Sequence, residues 1–130
     1  MAYLAQIARP DYAVITSLGL AHLANFKSKE QYRQEKLSIL DYLAKDGRAF
    51  LNVDDPELVK IEDSRVVSIG ISNHRADYGA NDFDLSLSGM EYRIIKTGRK
   101  IAIKTKLLGI HLVYAQLFAF ALADKLGVPS

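Results

Sequence analysis

Lys36 and His22 are the residues in the first third of the chain whose types and spacing could do chemistry. Lys36 lies within "SKEQYRQEKLSIL", residues 28–40, and His22 within the preceding "GLAHLANFK". Ser28 followed three residues later by Gln31 has the capping-box spacing of a helix start, so a helix is expected over residues 28–44. With Tyr32 as reference and about 100° per residue, Ile39, Leu43 and Leu40 fall at about −20°, 20° and 80°. Lys36 falls at about 40°, in the centre of that apolar stripe. An unpaired ammonium is costly to bury, and an apolar pocket favours the neutral amine. The lysine therefore needs a partner or a purpose. As a structural residue, it snorkels past the rim or pairs with Asp54 or Asp55. As a chemical one, its neutral amine is a nucleophile. Carbon dioxide would convert it into a carbamate, an anionic oxygen ligand suited to a hard metal ion.

The elements that must position these residues read as βαβ. "YAVITSL" is a continuous apolar run, the mark of a strand buried on both faces. "RAFLNV" and "SRVVSIGI" make two further strands, with "DDPELVKIE" as a turn and a short helix between them. That alternation predicts a parallel sheet. His22 then falls just past the carboxyl end of the first strand, where open α/β sheets place their ligands. A lone loop histidine is equally an ordinary solvated residue. From Asp77 onward polar and apolar residues alternate, and "TGR" at 97–99 signals a hairpin turn, so antiparallel strands are expected over 77–108. "HLVYAQLFAFALADKLG" is apolar nearly all round and predicts a deeply buried final helix over 109–127. The organisation expected is a single domain: a βαβ part at 1–76, the antiparallel strands, then the helix.

Composition narrows the classes. Lys+Arg is 17 and Asp+Glu is 15 in 130 residues, a net +2 too balanced to argue for nucleic acid or a membrane surface. Cysteine is absent, which excludes disulfides and thiolate metal sites and fits a reducing cytosol. The apolar stretch from Leu112 to Ala123 is interrupted by Gln116 and too short to span a bilayer. A cytoplasmic protein is expected.

Three blocks carry a resemblance: "RPDYAVITSLGLAHLANFKSKEQYRQEKLSI" at 9–39, "LNVDDP" at 51–56 and "GIHLVYAQLFA" at 109–119. Together they resemble the central domain of the Mur ligases, most of all the branch that adds D-alanyl-D-alanine. These are ATP-dependent enzymes joining amino acids or dipeptides to UDP-N-acetylmuramoyl precursors of peptidoglycan. The resemblance implies a largely parallel α/β sheet with flanking helices and an antiparallel section. It implies ATP and Mg2+ as cofactors and a UDP-muramoyl-peptide type of substrate. It also implies that His22 and Lys36 serve the metal, with Lys36 carbamylated and catalytic, and that Asp55 and His111 lie on the nucleotide side.

Departures accompany the match. No GxxxxGK[ST] loop, the cradle for ATP phosphates, occurs in the sequence. Three asparagines expected from the resemblance are replaced, by Ser17, Leu112 and Ala115. The chain is therefore expected to be the carboxy-terminal portion of such a domain. It would need missing segments or a partner chain for activity, and an exposed sheet edge would allow a homo-oligomer. The alternative is a degenerate Mur-like binding or scaffolding module.

Other residues have plainer readings. "DDP" is ordinary turn chemistry, with a place beside the nucleotide as the alternative for Asp55. His111 is otherwise a helix-start residue, His74 a solvated loop residue, and Tyr114, Phe118 and Phe120 core. Lys100, Lys104 and Lys106 share one strand face; nearby carboxylates blunt it as a nucleic-acid surface.

Overall fold

A computed structural model describes residues 2–19, 26 and 28–129. In chain order the elements are α1 (Ala2–Ala8), β1 (Tyr12–Ile15), α2 (Lys29–Leu37), β2 (Arg48–Asn52), β3 (Val66–Ile69), β4 (Tyr78–Ser86), β5 (Gly89–Lys96), β6 (Arg99–Thr105) and α3 (Ile110–Lys125). Short 3₁₀ segments occupy Ser38–Tyr42 and Leu58–Lys60. The six strands form one sheet in the order β1-β2-β3-β4-β5-β6. Pairing is parallel from β1 through β4 and antiparallel from β4 through β6. The mixed α/β sheet is the architecture the resemblance implied.

Two apolar clusters cover the two sheet faces. On one, α3 lays Val113, Leu117, Phe118 and Ala121 against Phe50, Val67, Ile69, Tyr78, Tyr92 and Ile94. On the other, Leu40, Leu43 and Leu58 pack on Ala13, Ile15, Ala49 and Leu51. The doubly covered strand is β2, whose Ala49, Phe50 and Leu51 are all buried. The sequence assigned that property to β1, and the structure corrects it: Ala13 and Ile15 are buried, but Tyr12 and Val14 are 40% and 44% exposed. Tyr12 and Val14 pair with Arg48 and Phe50 on the face that α3 covers, but the α3-side cluster contains no β1 residue.

Two helix expectations also change. Ser28 caps α2 as anticipated, its Oγ accepting from the Gln31 amide at 3.1 Å. The α-helix ends at Leu37, however, not at residue 44. Ser38 Oγ donates to the Glu35 carbonyl at 2.7 Å, a local bond that competes with continued helix. The next turn tightens to 3₁₀, at three residues per turn. A wheel drawn at constant pitch therefore misplaces the side chains beyond that turn: Leu40 and Leu43 are buried, while Ile39 is only half-buried, and the stripe that was to surround Lys36 does not form as drawn. The final helix, expected to be deeply buried, is covered on one side only. Ile110, His111, Ala115 and Ala119 face outward, because a single helix on one sheet face has one partner.

The "TGR" hairpin forms where the sequence placed it. Thr97 and Gly98 have φ of 43° and 76°, and Lys96 pairs with Arg99, the two left-handed central residues of a type I′ turn. Polar bonds lock α3 to the sheet: Tyr78 Oη donates to Asp124 Oδ2 at 2.5 Å, Lys96 Nζ to Asp124 Oδ1 at 2.5 Å, and Tyr92 Oη to Gln116 Oε1 at 2.7 Å. Among the described residues no helix is long and apolar enough to cross a membrane.

Candidate functional site

The carboxyl ends of β1, β2 and β3 meet at the turn after β2, and two adjacent carboxylates organise it. Asp54 accepts from the amides of Ile71, Ser72 and Asn73 at 2.6, 3.1 and 2.7 Å, and from Tyr114 Oη at 2.6 Å. It ties the loop after β3 to the first turns of α3. Burial alone would raise its pKa, but the Tyr114 hydroxyl and the three amides hold it below the usual carboxylate range. Burial and the Asp54 charge push the Tyr114 hydroxyl upward. Asp55 points elsewhere. Its Oδ2 accepts from the Leu18 amide at 2.9 Å, and its Oδ1 from the amides of Glu57 and Leu58 at 2.9 and 3.2 Å. Asn52 completes the corner by donating Nδ2–H to the Thr16 carbonyl at 3.1 Å.

The "DDP" turn reading therefore describes what both aspartates do: they arrange backbone. Asp55 lies just past the carboxyl end of β2, with its oxygens already engaged by amides. His111 lies one helical turn before Tyr114, exposed, on the same end of α3 that Asp54 anchors. The His111 ring folds back over Gly109, whose added Cβ would meet His111 Cε1 at 2.7 Å. The Asp54–Tyr114 bond thus holds the first turns of α3, which carry His111, to the turn after β2.

Lys36 stands on α2 with its Nζ 5.6 Å from the Tyr32 ring centroid, a cation–π arrangement that stabilises an ammonium by about 0.5–1 kcal/mol where water still reaches it. Among the described residues it has no carboxylate partner, and both candidate partners, Asp54 and Asp55, are committed to backbone amides. Neighbouring Arg33 reaches Glu57 with Nε–Oε2 at 3.3 Å, tying α2 to the segment after Asp55. His22 lies outside the described residues. Among the described residues no group of three or more His, Cys, Asp or Glu could hold a metal ion. An ammonium at Lys36 would repel a cation, so a part for this side chain in holding one requires a change at its amine.

The lysine face of β6 is met by acid. Lys104 bonds Glu91 at 2.5 Å and Lys100 lies 3.9 Å from Asp82, which also holds Arg93 at 2.9 Å. The Asp54–Tyr114 link was not foreseen from the sequence. Its signal was a tyrosine in an otherwise apolar helix, whose hydroxyl needs a partner when buried.

Comparison with known proteins gives these residues a frame. A family model described as the Mur ligase middle domain matches residues 1–123. Over 118 residues the chain is 31% identical to a UDP-N-acetylmuramoyl-L-alanyl-D-glutamate–2,6-diaminopimelate ligase of Chlamydia abortus, covering 88% of this chain and 24% of that protein. Over 125 residues it is 30% identical to a UDP-N-acetylmuramoyl-tripeptide–D-alanyl-D-alanine ligase of Bacillus subtilis, covering 96% and 27%. Among solved structures, MurF ligase from Thermotoga maritima in complex with ADP superposes with a TM-score of 0.84 at 21% identity, over 98% of this chain and 30% of that one. The chain spans about a quarter of the length of the curated relatives it matches.

Proposed function

Because the chain belongs to the Mur ligase middle-domain family, we propose that it works as part of an ATP-dependent amide ligase of peptidoglycan precursor synthesis. The observation that carries this reading is the family match over residues 1–123, joined to relatives that are ligases of UDP-N-acetylmuramoyl substrates. In the proposed reaction a substrate carboxylate attacks the terminal phosphorus of ATP and releases ADP. An amine then attacks the acyl carbon of the resulting acyl phosphate, phosphate leaves, and the nitrogen loses a proton. Such chemistry needs positioning more than covalent help from the protein. Asp54 and Asp55 contribute by fixing the loops at the strand ends, and the Asp54–Tyr114 bond sets where the first turn of α3, with His111, meets the nucleotide.

Magnesium enters this reading through Lys36. Carbamylation would exchange its ammonium for an anionic oxygen donor, and with His22 it would supply ligands for the ion, which neutralises phosphoryl charge when bound. The half-buried position of Lys36 beside Tyr32, with no carboxylate among the described residues to hold it, leaves the amine accessible to carbon dioxide. The proposed setting is cytoplasmic, with further ligase segments or a partner chain completing the site. A second reading, a Mur-like scaffolding module, is favoured by Ser17, Leu112 and Ala115: Leu and Ala side chains neither donate nor accept.

A carbon-13 NMR titration with labelled bicarbonate, with and without magnesium, separates the two. The ligase reading expects a carbamate carbon that disappears in Lys36→Ala and strengthens with magnesium. A folded chain showing no adduct at saturating bicarbonate removes Lys36 from the site and moves the assignment to the scaffolding module.

A further inference from the structure

The sheet ends on an open edge at β6: among the described residues no strand lies beyond it. Register fixes which of its backbone groups point outward. Thr97 and Gly98 form a two-residue turn flanked by the Lys96–Arg99 pair. In such a hairpin the flanking pair exchanges both hydrogen bonds, and bonded and non-bonded pairs then alternate along the antiparallel ladder. Arg99, Ile101, Ile103 and Thr105 therefore bond β5, and the N–H and C=O groups of Lys100, Ala102 and Lys104 face the open side. The same alternation sorts the side chains. Tyr92 and Ile94, opposite Ile103 and Ile101, belong to the α3-side core. Ile101 and Ile103 share that face, and Lys100, Ala102 and Lys104 take the other.

Lysines on an edge strand often serve only to keep other strands away. Two observations point past that role. First, apolar side chains lie bare beside the edge. Leu85 pairs with Met90, and Met90 with Thr105, on the α3 face. Leu85 is 68% exposed, Leu107 and Leu108 just after Thr105 are each 49% exposed, and Leu87 at the hairpin tip is fully exposed. Together they present apolar surface on the order of a few hundred Å², the size at which a patch marks an interaction site. A guarded edge needs no such surface. Second, a cavity of about 500 Å³ opens at the Thr105 end of the edge, between Ser86, Gly89, Met90, Glu91, Thr105 and Lys106. It has room for an anchoring side chain. Strand addition works through this combination: backbone bonds supply affinity, and pockets for alternate side chains supply specificity.

The two rows of β6 define the partner. A strand laid antiparallel to it sets one face opposite Lys100, Ala102 and Lys104, and the other opposite Ile101 and Ile103. Carboxylates across from the two lysines and apolar side chains across from the two isoleucines complement both rows. Glu91 already bonds Lys104, and Asp82 lies 3.9 Å from Lys100, but the lysine side chains are 83% and 56% exposed, leaving each open to a second carboxylate. A second copy fits poorly in full overlap, because its Lys104 would stand opposite Lys100. We propose that the β6 edge docks an extended segment of a partner protein as a seventh strand. That segment carries carboxylates at its first and fifth residues and apolar side chains at its second and fourth. The proposal does not rest on the ligase reading, since Lys36, Asp55 and His111 take no part.

The test is a titration of the chain with the fluorescein-labelled peptide SEVTVES, read by fluorescence polarisation and by amide hydrogen exchange. Saturable binding with a Kd on the order of 100 μM is expected. Exchange should slow at Lys100, Ala102 and Lys104, whose amides face the open edge, and change little at Ile101 and Ile103, already bonded to β5. SEVPVES, whose proline lacks the central N–H donor, and the charge-reversed SKVTVKS should each bind at least tenfold more weakly. The double variant Lys100→Thr, Lys104→Thr should lose the preference for SEVTVES over SKVTVKS; if it does not fold, the three peptides on the wild-type chain decide. Equal binding of SKVTVKS or SEVPVES, tighter binding of poly(dT) at the same amides, or no saturable binding would each overturn the proposal. So would protection of Lys100, Ala102 and Lys104 by raising the concentration of the chain alone, which would assign the edge to a second copy.

Discussion

Removing the Tyr114 hydroxyl tests whether one aspartate holds the candidate site together. Tyr114→Phe deletes a single 2.6 Å bond to Asp54 and keeps the ring. Hydrogen bonds to charged groups contribute about 1.5–3 kcal/mol. Tyr114 and Asp54 are half-buried, and Asp54 keeps its three amides, so a loss of about 1–2 kcal/mol is expected. In urea, where m is roughly 1–3 kcal/mol/M, that lowers the midpoint by roughly 0.3–2 M, readable by circular dichroism. Asp54→Asn exchanges the anion for a neutral group facing three amide N–H donors, and should cost about 3 kcal/mol. In the double variant the Tyr114 change should add little, giving a coupling of about 1 kcal/mol.

The pH dependence is set by the sign of the shift. Asp54 is held below its ordinary 3.8 in the folded chain, so the folded state favours the carboxylate. Its contribution is complete above that value and is lost as pH falls through the lower folded pKa. Wild type and Asp54→Asn should therefore differ fully at pH 7 and converge in acid. A Tyr114→Phe midpoint equal to wild type, strictly additive changes, or a pH-independent gap between wild type and Asp54→Asn would refute the reasoning.

Two packing predictions accompany it. Leu117 is fully buried beneath α3, and Leu117→Ala should cost about 2–5 kcal/mol through lost contact and a residual cavity, measured by the same urea titration. Gly89 begins β5 at φ 143°, where an added Cβ would collide with the Thr105 carbonyl oxygen. Gly89→Ala should disrupt the β5–β6 pairing there, seen as faster amide exchange at Met90 and Glu91 than at the far end of the hairpin around Lys96.

Local chemistry was legible in the sequence. Ser28 caps α2 because its side chain reaches an amide three residues on, and Thr97–Gly98 turns because two residues accept positive φ. The strand alternation of β5 and β6 and the "DDP" turn are of the same kind. The resemblance, carried by three separated blocks, reached the family and the mixed sheet. What the sequence left open depended on neighbours far along the chain. Whether Val14 has cover depends on how far α3 extends over the sheet, and an all-apolar helix does not say which side faces outward. The 3₁₀ turn after Leu37 re-aimed Ile39, Leu40 and Leu43 relative to Lys36, because a constant-pitch wheel does not foresee a serine hydroxyl taking a carbonyl. Asp54 and Tyr114 stand 60 residues apart in sequence, and Gly79 and Lys100 come to one sheet face only through two strand pairings. The sequence by itself determined the local elements and the family, because those rest on neighbouring residues and contiguous blocks; the tertiary structure alone decided which polar groups converge, because convergence is set by how the sheet and α3 pack.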